Sequence, residues 1–127
     1  MKKVISTDKA PSAIGPYSQA VVANDMLYTS GQIPIDPVTG NIVEGDITAQ
    51  AEQVCKNLAA VLDAANTSFD SVIKTTCFLA DMADFAAFNE VYAKYFVSKP
   101  ARSCVAVKTL PKNVLCEEEL IATVGLH

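Results

Sequence analysis

A strand with two apolar faces has to be covered twice, and the run from Leu115 to Val124 reads as such a strand. Alternation puts Cys116, Leu120, Ala122 and Val124 on one side and Leu115, Ile121 and Thr123 on the other. The 127 residues suit one domain, 1–127, burying roughly two thirds of its unfolded surface. Only two stretches have helical periodicity. From a cap at Asp46 or Thr48 to about Ala65, the residues Ala51, Val54, Cys55, Leu58, Val61, Leu62 and Ala65 form one stripe, and Asn66 is a suitable stop. Asp81 caps the second helix, with Asp84 in its first turn and Phe85, Phe88, Tyr92, Tyr95 and Phe96 along one face. Such an aromatic stripe is far more often core than cofactor site.

The remaining chain reads as strands. These are Val4–Thr7, Ser18–Ala23 and Met26–Ile33 (a hairpin through Asn24-Asp25), Val72–Ala80, the segment after Pro100, and Leu115–Val124. Gly31 interrupts the third, as a bulge or a close approach to the backbone would require. The last two strands are expected to pair as a hairpin through Pro111-Lys112-Asn113. The order β-β-β-α-β-α-β-β is that of an α+β domain with two helices on one face of a mixed six-stranded sheet. The other face then lacks cover, and self-association is the economical remedy.

Composition removes several functions. The formal charge of −4 and pI near 4.8 argue against nucleic acid or an anionic membrane as a partner held by bulk charge. No signal-peptide core or membrane-length apolar run is present, so a cytoplasmic location is expected. Cys55, Cys77, Cys104 and Cys116 form no C-x-x-C pair, and the only histidine is His127. That pattern does not suit a zinc site and excludes Ser-His and Cys-His nucleophiles.

What remains is a local anion receptor. Pro100 ends the preceding element, and in the strand that follows Arg102 and Cys104 share one side while Ser103, Val105 and Val107 share the other. Glu117, Glu118 and Glu119 open the last strand. Alternation sends Glu117 and Glu119 to the side away from the helices and Glu118 toward the core. Read as the neighbour of the Arg102 strand, this run brings a carboxylate near the guanidinium. Glu119, leading into Leu120-Ile121-Ala122, is expected to be partly desolvated.

Three separated pieces, Ala13-Ile14-Gly15-Pro16-Tyr17-Ser18-Gln19-Ala20, Tyr28-Thr29-Ser30-Gly31-Gln32-Ile33-Pro34 and Pro100-Ala101-Arg102-Ser103-Cys104-Val105, with the Glu-x-Glu at 117–119, resemble the reactive intermediate deaminases (RidA, also called YjgF). Lys74-Thr75-Thr76 and Phe85-x-x-x-Asn89-x-x-Tyr92 fit the same pattern. The resemblance implies a chorismate-mutase-like subunit in a homotrimer with a central barrel and pockets between subunits. It implies hydrolysis of 2-imino acids to 2-oxo acids and ammonia, without metal or organic cofactor. Carried over by position, Arg102 holds the substrate carboxylate and Glu119 works with the water. Tyr17, Ser30, Gly31, Asn89 and Cys104 then line the pocket.

Each of those residues also has an ordinary reading. Tyr17 can pack after the Gly-Pro turn, Ser30 can satisfy a bulge, and Asn89 can be a buried amide bonded to backbone. Cys104 is pocket lining rather than nucleophile. Glu118 stands where the family usually has an apolar residue, and Phe96–Pro100 is shorter than in many relatives. Two other functions compete: a non-catalytic sensor of 2-oxo acids, and an endoribonuclease, which the acidic balance and missing internal histidine disfavour.

Overall fold

The computed structural model describes residues 1–125, so His127 lies outside the described residues. Eight main elements follow one another: β1 (Lys3–Ile5), β2 (Ala20–Ala23), β3 (Met26–Thr29), α1 (Ile47–Ala64), β4 (Val72–Leu79), α2 (Phe85–Tyr95), β5 (Ala101–Ala106) and β6 (Cys116–Thr123). The expected α+β order is observed, in one six-stranded mixed sheet carrying two helices. Asp46 caps α1 by accepting from the Ala49 amide at 3.2 Å. Asn66, at φ 59°, takes the left-handed conformation that ends it. Asp81 accepts from the Ala83 amide and opens a 3₁₀ turn, Met82–Asp84, that leads into α2.

The sheet order is β1-β2-β3-β6-β4-β5. This corrects the expected hairpin between the last two strands. β6 inserts antiparallel between β3 and β4, while β5 lies parallel to β4 at the sheet edge. The chain between them passes through a 3₁₀ turn, Pro111–Asn113, rather than a tight hairpin turn. The physical reason is cover: β6, apolar on both faces, belongs in the middle of the sheet, where most area can be buried. β5 is mostly exposed on one side and suits an edge.

One continuous core fills the space between the sheet and the helices. It includes Val54, Leu58, Val61 and Leu62 of α1, Phe88 and Val91 of α2, and Cys77, Leu79, Cys116, Leu120 and Ala122 of the sheet. Burying each large aliphatic side chain contributes roughly 1.5–3 kcal/mol. The opposite face keeps apolar side chains in the open, with Tyr28, Ile73 and Val105 each more than two fifths exposed. Among the described residues no helix is long and apolar enough to cross a membrane.

Two side-chain amides fix the loops that lead to the site. Buried Gln19 holds the N-terminal loop by accepting from the Thr7 amide at 2.7 Å and donating to the Thr7 and Pro11 carbonyls. Asn57 on α1, fully buried, donates to the Ile33 and Ile35 carbonyls at 3.1 and 3.0 Å. β3 therefore ends at Thr29 rather than Ile33. After the break at Ser30-Gly31, Gln32 pairs with Glu118 of β6 by reciprocal backbone hydrogen bonds of 2.8 and 3.1 Å.

Candidate functional site

Pro100 and the parallel pairing with β4 set Arg102 opposite Thr75 and Cys104 opposite Cys77, all on the helix-facing side. Arg102 is half-buried. Its Nη1 donates to Asn89 Oδ1 on α2 at 2.7 Å. The guanidinium carbon lies 4.7 Å from the Tyr92 ring centre and 5.5 Å from that of Phe85. Asn89 thus bonds a side chain rather than the backbone. The aromatic face of α2 is core, as expected, and it also cradles a cation. Since a guanidinium has five N–H donors, most of its hydrogen-bonding edge stays available for a planar anion. Asn89, Tyr92, Phe96, Lys99, Pro100 and Arg102 line part of one cavity of about 450 Å³.

A second group forms at the far end of β3. Tyr17 follows a turn in which its amide donates to the Gly15 carbonyl, and its side chain is 53% exposed. The Ser30 hydroxyl donates to the Ser18 carbonyl at 2.6 Å, which joins the two loops. Tyr17, Ser30, Gly31, Ile33, Pro111 and Glu117 line a cavity of about 390 Å³. Gly31 is needed for space, because a Cβ there would collide with the Glu117 carboxylate.

The expected residues therefore fall into two groups: Arg102, Asn89 and nearby Cys104 at the β5 edge, and Tyr17, Ser30 and Gly31 beyond β3. β6 and β4 separate them within one chain. The three glutamates alternate as anticipated, but none stands on a strand adjacent to β5. Glu119 is exposed on the face away from the helices, opposite Thr76. Glu118 shares the helix-facing side with Arg102, one strand removed. It is fully buried, and neither carboxyl oxygen has a hydrogen-bond partner. Burial pushes its carboxyl up to about 8, against the opposing pull of Arg102.

Glu117, placed by alternation beside Glu119 but assigned no role there, lines the cavity beyond β3. It is half-buried beside Gly31, and its carboxyl is raised first by burial and then by the negative charge of Glu119. The available signal was its place before Glu118 on the same face as Glu119, together with a glycine that nothing in the turn chemistry demanded. The Cys104 thiol is raised by burial while Arg102 opposes the shift, so it is no ready thiolate. Among the described residues no group of three or more His, Cys, Asp and Glu side chains is placed to hold a metal ion.

A family model described as Endoribonuclease L-PSP matches residues 7–124. The chain is also 49% identical over 126 residues to the 2-iminobutanoate/2-iminopropanoate deaminase of Mus musculus, covering 98% of this chain and 93% of the mouse protein. The chain belongs to the reactive intermediate deaminase (RidA/YjgF) family. Solved RidA-family structures agree in fold. YyfA of Yersinia pestis, described as a member of the conserved Rid protein family, superposes with a TM-score of 0.95 at 52% identity, covering 98% of this chain and 100% of that one. TdcF of E. coli, solved with bound serine, gives a TM-score of 0.92 at 46% identity over 97% and 99% of the two chains.

Proposed function

We propose that this protein hydrolyses reactive 2-imino acids, 2-iminobutanoate and 2-iminopropanoate among them, to 2-oxo acids and ammonia in the cytoplasm. The observation that carries the reading is Arg102. It is a half-buried guanidinium held on one side by Asn89, with free donors for the bidentate grip that a carboxylate requires.

The chemistry asks little more. The imine nitrogen takes a proton and water adds to the carbon. The resulting amino alcohol then loses ammonia as the C–N bond breaks and the carbonyl forms. One carboxyl group that donates and then accepts a proton suffices, provided that it is near its neutral form at working pH. Sequence position pointed to Glu119 for this part. The raised, half-buried carboxyl of Glu117 beside Gly31 supports assigning it there as well. Positioning of water and imine supplies much of the remaining acceleration.

The two residue groups lie apart in one chain, and the reading unites them by assembly. In a closed homotrimer, the β5 edge of one subunit meets the Tyr17–Ser30–Gly31 end of the next, a heterologous contact that closes into a ring. The open apolar sheet face supports this arrangement. Light scattering should give a mass three times the 13.5 kDa of the chain.

Loss of 2-iminobutanoate, generated in situ by a dehydratase, should be accelerated by the wild-type protein and not by Arg102→Ala. Equal rates with buffer and with wild-type protein, alongside tight 2-oxobutanoate binding, would make the protein a 2-oxo acid sensor instead. The endoribonuclease named in the family description is the weaker reading for a chain of charge −4 with no histidine before its last residue.

A further inference from the structure

We propose that Tyr92 is the positioning residue for the carboxylate-binding arginine, acting through the face of its ring and not through its hydroxyl. The inference rests on the assignment of Arg102 as the carboxylate clamp and extends it to what gives that clamp its direction. Three contacts carry it. The guanidinium carbon sits 4.7 Å from the Tyr92 ring centre, within the range of a cation–π contact. The ring itself is stacked on Phe96, with centroids 4.3 Å apart and planes 20° from parallel. The Tyr92 hydroxyl lies 2.7 Å from Thr75 Oγ1, and Thr75 is fully buried on β4.

These contacts divide the labour. Stacking on Phe96 sets the ring under the cation, and the hydroxyl contact with Thr75 adds anchoring that the stack does not depend on. The ring underlies the guanidinium carbon, and Asn89 takes one of its N–H groups. The N–H donors left free are then held in place for a carboxylate, so little side-chain freedom is lost on binding. An arginine on a strand edge without such a platform would sample many rotamers and bind a small acid weakly.

The test separates ring from hydroxyl. Arg102 is the only arginine in the sequence, so its Nε–H signal in an NMR spectrum is unambiguous. Four proteins are compared: wild type, Tyr92→Phe, Tyr92→Leu, and a protein carrying pentafluorophenylalanine at position 92, whose ring keeps the shape but reverses the charge distribution of its face. Tyr92→Phe should bind 2-oxobutanoate about as well as wild type and keep the Nε–H proton shielded by the ring. Tyr92→Leu and the fluorinated ring should each weaken binding about tenfold. In Tyr92→Leu the shielding should fall to the smaller part that the more distant Phe85 ring supplies.

Binding by the fluorinated protein equal to that of Tyr92→Phe overturns the proposal, and does so even if Tyr92→Leu fails to fold. Loss in Tyr92→Phe as large as in Tyr92→Leu also overturns it, since the hydroxyl would then be the agent. If wild-type protein binds no 2-oxobutanoate, the assignment of Arg102 as the carboxylate clamp fails, while the imine-loss assay still decides the deaminase reading. The Nε–H signals then decide the positioning alone: shielding kept in Tyr92→Phe and reduced in Tyr92→Leu supports it, and any other pattern overturns it.

Discussion

The Glu117 carboxylate fills the space that a side chain at position 31 would need, so Gly31 and Glu117 form one unit. The colliding atoms are the far end of a flexible side chain, which can swing away at small cost in stability. Gly31→Ala should therefore leave the melting temperature within a few degrees of wild type. It should cut imine hydrolysis at least tenfold, because the carboxyl leaves its half-buried seat. Paired thermal scans and coupled assays check both halves, and full activity in the Gly31→Ala protein would detach Glu117 from the chemistry.

Glu117 and Glu119 can be told apart directly. Glu117 is half-buried and raised, whereas Glu119 is exposed on the single chain. If Glu117 handles the proton, Glu117→Gln should lower kcat by two orders of magnitude or more, while 2-oxobutanoate binding changes little. Glu119→Gln should then cost less than fivefold. The reverse ranking would return the role to Glu119.

Glu118 makes stability depend on pH. Its carboxyl keeps a proton in the fold up to about 8, while an unfolded glutamate releases it near 4.5. From about pH 4.5 to 8 the native state therefore binds more protons than the unfolded one. Its stabilising contribution is complete below that window, shrinks as pH rises through it and is gone above about 8. The loss by neutral pH is on the order of 3 kcal/mol. Glu118→Gln should flatten the fall in urea midpoint between pH 5 and 8, measured at fixed protein concentration. Glu118→Ile, which also removes two unpartnered oxygens from the core, should raise the midpoint at pH 7. An unchanged pH slope in Glu118→Gln would show that the carboxyl finds water.

Asn57 ties α1 to the loop after Gly31 through two carbonyls. Asn57→Leu leaves both without their donor and should cost about 2–4 kcal/mol of unfolding free energy. Denaturant titration reads the size. A cost below 1 kcal/mol would mean that the loop pairs elsewhere.

Local chemistry made much of this protein legible in advance. The α1 stripe, the Asp46 cap, the Asn66 stop, the two-sided apolar character of β6 and the inward aim of Glu118 all follow from side-chain period and backbone preference over a few residues. Three separated motifs were enough to indicate the family, and they marked Arg102 before any contact was known.

Apart from the β2–β3 hairpin that Asn24-Asp25 announces, only the tertiary structure decided which strands are neighbours. Hydrophobic alternation tells which way a residue faces but not what lies beside it, so the hairpin expected between β5 and β6 gave way to β6 inserted between β3 and β4. That placement parts Arg102 from the glutamates, seats Glu117 against Gly31 and leaves the carboxyl of Glu118 without a partner. It also turns an aromatic stripe that reads as plain core into the platform under a cation. Period is a property of neighbouring residues in the chain, whereas pairing is settled by where the whole molecule buries the most apolar area.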